Sequence, residues 1–213
     1  MLDDGQIKLL NRLDQQVQSC ERCELFKSGR AKPYWSPASK FGIIAEAPGS
    51  GEVSQNTPLC GTTGIKFWEV MKEFKLHKVE FFIVNSVNCR PVEGNKNGKP
   101  TTDEMSACSE WMRKYIRIIK PSKLLVMGKY ALSSINQLLN EELFSIDNIV
   151  RDSGTQKFIE DYHGVPLSIV SSVHPSWALV YNPVDGLEKL KESIRIFISD
   201  EDRAVSQRGS KLY

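Results

Sequence analysis

Residues 41–64 read FGIIAEAPGSGEVSQNTPLCGTTG. The opening run, FGIIAEA (41–47), is continuously apolar up to one carboxylate, Glu46, which predicts a strand covered on both faces. Pro48 and a series of glycines then break it. Three further runs have the same character: FFIVNSV (81–87), KLLVMG (123–128) and LSIVSSV (167–173). Helical patterns lie between them. One follows Gly64, with Phe67, Val70, Met71 and Phe74 at helical spacing. A second covers 102–119, where TTDEM supplies a Thr cap and acids in the first turn. A third follows Lys129, and a last covers about 186–198. The start of the chain reads as an amphipathic helix with Leu9, Leu10, Leu13 and Val17 on one side. Strands alternating with helices predict an α/β layer fold with a mainly parallel sheet.

Ligands of such sheets bind beyond the carboxyl ends of the strands. The first run ends at Glu46, the second carries Asn85 and then Cys89, and the fourth runs into HPS (174–176). Polar groups therefore gather at one edge. VEGNKNGKP (92–100) reads as a flexible polar loop, and no linker divides the chain. The expected organisation is one domain over 1–200 with a polar tail over 201–213.

The chain has 213 residues, with 28 Lys plus Arg against 26 Asp plus Glu. That length suits one medium domain, and a net charge of +2 does not by itself argue for a nucleic-acid partner. No secretory h-region opens the chain and no apolar run is long enough to span a membrane, so a cytoplasmic protein is expected. Five cysteines in such a chain argue against a disulfide framework. Cys20 and Cys23 form C-x-x-C, and Cys89 and Cys108 follow far downstream. Four thiolates suggest zinc or an iron–sulfur cluster, and spacing does not choose between them. Scattered core thiols are the competing reading. Cys60, in PLCG, reads as a small side chain lining the site.

The segments AEAPG (45–49), PLCGTTG (58–64), VNSVNCRP (84–91), KPSKLLVMG (120–128) and VHPSWAL (173–179) occur in order. Together with the four cysteines they resemble the iron–sulfur-containing uracil-DNA glycosylases, family 4 of that superfamily, over about residues 17–195. The resemblance implies a three-layer αβα fold around a mainly parallel four-stranded sheet. It implies a [4Fe-4S] cluster on Cys20, Cys23, Cys89 and Cys108, with zinc the lesser alternative. It further implies a monomeric, monofunctional enzyme that flips uracil out of single- or double-stranded DNA and hydrolyses its N-glycosidic bond.

That reaction puts oxocarbenium-like charge on the sugar and negative charge on the departing base. By resemblance, His174 hydrogen-bonds the base O2, Asn85 reads the O4 and N3–H edge, and Glu46 positions water or stabilises the sugar charge. Ala45, Ala47, Pro48, Gly49, Leu59 and Cys60 would line the base pocket, and Ser176 would meet a phosphate. Trp177 and Leu179 are candidate wedges for the gap left by a flipped base, although a Trp there serves equally as a core anchor. Lys96 and Lys99 are candidate DNA contacts. Leu59 departs from the family, which has Phe there. Base–aromatic stacking is worth roughly 1–3 kcal/mol, so altered base choice is one alternative. A non-catalytic nucleic-acid-binding iron–sulfur protein is another, and retention of Glu46, Asn85 and His174 speaks against it. No His stands between Cys89 and Cys108, so covalent capture of DNA is not expected.

Overall fold

An alternation hidden inside the apolar runs decides the layering. The computed structural model describes residues 1–199, and the tail expected over 201–213 lies outside the described residues. In chain order the elements are α1 (Asp4–Gln18), β1 (Phe41–Ala45), α2 (Ser50–Gln55), α3 (Thr62–Glu73) and β2 (Phe81–Asn85). Then come β3 (Val92–Glu93), β4 (Lys96–Asn97), α4 (Thr102–Ile119), β5 (Lys123–Met127) and α5 (Lys129–Leu139). The chain closes with β6 (Gln156–Ile159), β7 (Leu167–Ser172), a π-helical turn (Trp177–Tyr181) and α6 (Asp185–Ser199).

Successive strand residues point to opposite faces. Phe41, Ile43 and Ala45 of β1 pack with residues of α3 and α6, whereas Ile44 packs with residues of α1, α4 and α5. The split repeats in β2, with Phe81 and Ile83 on the first face and Phe82 and Val84 on the second. It repeats again in β5, with Leu125 and Met127 opposite Leu124 and Val126. Helices on both faces of one sheet give the expected three layers.

The sheet has five strands in the order β2-β1-β5-β7-β6, not the four expected. Four run parallel, and β6 pairs antiparallel with β7 at the edge. QKFI hides this strand because it is short, edge-placed and exposed at Lys157 and Phe158. The chain moves outward from β1 to β2, returns to β5 and continues to β7, so its direction reverses between β1 and β5. That reversal opens a crevice at the carboxyl edge.

Helix ends follow local chemistry. Thr101 caps α4: its hydroxyl accepts from the Glu104 N–H at 3.3 Å, and its own N–H donates to the Glu104 carboxylate at 2.8 Å. Asp3 and Gln6 form the same box on α1. Leu10, Leu13 and Val17 of α1 are buried, but Leu9 is 51 % exposed, contrary to expectation. The segment expected as a loop over 92–100 contains the hairpin β3–β4, turned at Gly94. Before β1, Tyr34 exchanges backbone hydrogen bonds with Ile83, which shields the open edge of β2.

Candidate active site and thiol cavity

The parallel strands deliver Glu46, Asn85 and His174 to one cleft of about 870 Å³ at the carboxyl edge of the sheet. Glu46 follows β1, Asn85 ends β2, and His174 follows β7. Ala45, Ala47, Pro48, Gly49, Leu59, Cys60 and Ser176 line the same cleft, as does Lys99.

Among the described residues, the Glu46 and Asn85 side chains and the Nε2 of His174 are left uncommitted. Asn85 is 3 % exposed, yet its side-chain amide has no hydrogen-bond partner among the described residues. The Glu46 carboxylate also lacks one among them, and burial raises its pKa to about 7, with the Lys99 charge pulling it back. The Glu46 main chain is fixed instead, since its carbonyl accepts from the Val87 N–H at 3.3 Å.

His174 is held from two sides. The Ser176 backbone N–H donates to Nδ1 at 3.2 Å, and the Ser176 hydroxyl lies 2.7 Å from the same nitrogen. A backbone N–H can only donate, so Nδ1 carries the lone pair and the ring proton sits on Nε2. Burial lowers the His174 pKa to about 4, which keeps the ring neutral near pH 7. On the other side, Gly128 has φ +93, and a Cβ there would lie 3.0 Å from the His174 Cβ. Only a glycine lets the backbone pass so close in that conformation.

Sequence reasoning did not single out Glu52. Its carboxylate accepts from the Gly49 N–H at 2.7 Å and from the Leu59 N–H. It thereby ties the AEAPG turn to the PLCG turn. Leu59 is 9 % exposed and holds φ +51, a conformation that costs a leucine free energy. Gly64 packs against it so closely that a Cβ would stand 2.4 Å from the Leu59 carbonyl. The signal for Glu52 was an acid three residues after Gly49 at the start of a helix.

The expected DNA contacts divide. Lys99 is exposed on the cleft wall, while Lys96 lies on the exposed hairpin away from the cleft lining. Ser176 lines the cleft with its hydroxyl engaged by His174. Trp177 and Leu179 turn toward the core beside α3 and α6, and the Trp177 ring packs over Gly186. The π-helical turn instead presents Val180 and Tyr181, 53 % and 78 % exposed, to the cleft that Ile65 also lines. Sequence reasoning had passed over all three.

Cys20, Cys23, Cys89 and Cys108 line a separate apolar cavity with Leu25, Phe26, Val87 and Trp111. The backbone explains how distant cysteines meet. Ala31 N–H donates to the Asn88 carbonyl at 3.0 Å and Arg90 N–H to the Gly29 carbonyl at 2.9 Å, so the segment after Cys23 runs beside Cys89. No disulfide joins the described cysteines. Burial pushes the Cys89 thiol up to about 11 and the Cys108 thiol up to about 12, and neighbouring thiols add to both shifts. Cys108 Sγ accepts from the Asn88 N–H at 3.4 Å, and Cys20 Sγ from the Trp111 indole N–H at 3.3 Å. Among the described residues, no three His, Cys, Asp or Glu side chains converge as ligands of a single metal ion.

The sequence model of the Uracil DNA glycosylase superfamily matches residues 33–197. The type-4 uracil-DNA glycosylase of Sulfurisphaera tokodaii is 30 % identical over 186 residues, covering 86 % of this chain and 80 % of that protein. The type-4 enzyme of Saccharolobus solfataricus is 27 % identical over 194 residues, 87 % of this chain and 86 % of its own. That of Thermotoga maritima is 24 % identical over 207 residues, 93 % of this chain and 94 % of its own.

Proposed function

The chain belongs to the uracil-DNA glycosylase superfamily, and from that premise we propose that it hydrolyses the N-glycosidic bond of uracil in DNA, leaving an abasic site. The observation that carries this reading is the meeting in one cleft of the unpartnered Glu46 and Asn85 side chains with His174, whose Nδ1 is held by Ser176.

Each group meets one demand of the reaction. The Asn85 amide offers a donor and an acceptor, which fits the O4 and N3–H edge of a flipped uracil. His174 carries its proton on Nε2 and stays neutral, so it donates a hydrogen bond to O2 as negative charge builds on the leaving base. Glu46, ionised, positions the attacking water and stabilises the sugar cation. Ser176 orients His174 through Nδ1. Glu52 fixes the turns that carry Gly49 and Leu59, which form the apolar part of the pocket. Lys99 serves the phosphate backbone beside the cleft.

The four-thiol cavity fits an iron–sulfur cluster held by Cys20, Cys23, Cys89 and Cys108. A single zinc needs four sulfurs about 2.3 Å from one point, whereas a four-iron cluster gives each thiolate its own iron. An all-thiol donor set, an apolar wall and N–H groups aimed at two sulfurs support the cluster. Bound metal would also ionise thiols that burial otherwise keeps protonated. When bound, it braces the segments that carry its ligands. The proposed enzyme acts as a monomer, as one domain over 1–200, in the cytoplasm. No helix among the described residues is long and apolar enough to cross a membrane.

Base release from matched oligonucleotides carrying uracil, hydroxymethyluracil, hypoxanthine or thymine tests the reading. Uracil release is expected from the wild type and a loss of about 100-fold or more in both His174→Ala and Glu46→Ala. Intact DNA binding with no base released would overturn it.

A further inference from the structure

Trp111 is 5 % exposed on the inner face of α4, and its indole N–H donates to the Cys20 sulfur rather than to an oxygen. Its ring is also fixed from outside. The Arg22 guanidinium lies 4.3 Å from the ring centroid and the Lys114 ammonium 4.9 Å from it. Glu110 pairs with both cations and so locks the cap. Arg22 stands between Cys20 and Cys23 in the chain, and both Arg22 and Trp111 line the thiol cavity. Packing alone does not require such an arrangement, because phenylalanine would fill the same wall without a polar hydrogen.

A hydrogen bond to a cluster thiolate draws electron density from the sulfur and stabilises the more reduced, more negative state. Solvent exclusion and nearby positive charge act on the same equilibrium. We propose that Trp111, aimed at Cys20 by the Arg22–Glu110–Lys114 cap, is the residue that sets the reduction potential of the iron–sulfur cluster. The inference rests on the cluster reading above and deepens it. It assigns Trp111 a positioning and tuning role, not a catalytic one.

Voltammetry on the cluster-loaded, full-length protein tests this. Trp111→Phe keeps an aromatic side chain and removes the donor, so the cluster's one-electron potential should fall. Arg22→Met leaves the donor in place but removes the cation above the ring, and should give a smaller fall. A potential unchanged in Trp111→Phe overturns the inference. A measurement on the wild type avoids dependence on that variant folding. Protein grown with tryptophan labelled with ¹⁵N at the indole nitrogen, once reduced, should show a ¹⁵N hyperfine coupling to the cluster by pulsed EPR. The chain has four tryptophans, and Trp111 is the one among them lining this cavity, so the coupling has one source. Its absence overturns the inference while leaving the cluster in place. Wild-type protein purified anaerobically without iron and sulfide would overturn the cluster reading itself.

Discussion

Glu46 and His174 show how one cleft treats an acid and a base in opposite ways. Burial disfavours charge on both, raising Glu46 to about 7 and lowering His174 to about 4. The Glu46 contribution to stability is fully present below the ordinary 4.5 and is lost as pH rises through about 7. The His174 contribution has the other sign: it is present above the ordinary 6.5 and lost as pH falls through about 4. Function asks for the states that stability treats unequally, a neutral His174 and an ionised Glu46. Uracil release, measured as kcat/KM against pH, should therefore rise through about 7. No separate limb from His174 should appear until the pH nears 4. Glu46→Gln should also be more stable than the wild type at pH above about 7, by denaturant titration. A flat rate profile across neutrality would remove Glu46 as the ionised group.

The turn after β7 carries the clearest difference between what the sequence shows and what the fold does. HPS at a strand end was legible, and so was His174, because a polar residue after a buried run marks the ligand edge. The next five residues were not. Trp177 and Leu179 are candidate wedges if the residues after HPS form a loop, but Asn182 N–H bonds the Trp177 carbonyl at 2.8 Å across five residues, a π-helical turn. The wider turn leaves Trp177 over Gly186 and carries Tyr181 to the cleft. Strand β6 was missed for a related reason, since an edge strand exposed at Lys157 and Phe158 lacks the apolar run that revealed the others. Glu52 reads as a surface helix acid until the Leu59 turn folds back onto it. If Tyr181 fills the stack when a base leaves, Tyr181→Ala should slow uracil release from duplex about 10-fold and leave single-stranded substrate nearly unchanged. Trp177→Ala should instead lower stability, by about 3 kcal/mol as for a core aromatic, with both substrates affected alike. Equal loss on both substrates in Tyr181→Ala would put that residue elsewhere in the mechanism.

At the scale of the molecule, the cleft and the thiol cavity share a wall. Three residues separate Asn85 from Cys89 on one strand exit, and Ala47 packs against the cluster of Leu25, Val87, Cys89 and Met105. Cys89 and Cys108 also bracket the hairpin segment that places Lys99 on the cleft. The rest of the fold has other support. α1 packs on α4 through Leu10 and Leu13 against Met112, Tyr115 and Ile116, side chains that stand outside the cavity lining. Each such buried side chain contributes about 1.5–3 kcal/mol. Losing one cluster ligand should therefore loosen a region rather than unfold the chain. In Cys89→Ser, hydrogen exchange should quicken over about 20–31 and 88–108 while β1, β2, β5 and β7 stay protected. KM for uracil-containing DNA should rise more than kcat falls, because Lys99 and the hairpin are displaced while Glu46 and His174 are still delivered by the sheet. A uniform loss of protection across the sheet would show that the cluster holds the whole fold. An unchanged KM would show that the hairpin keeps its place without it.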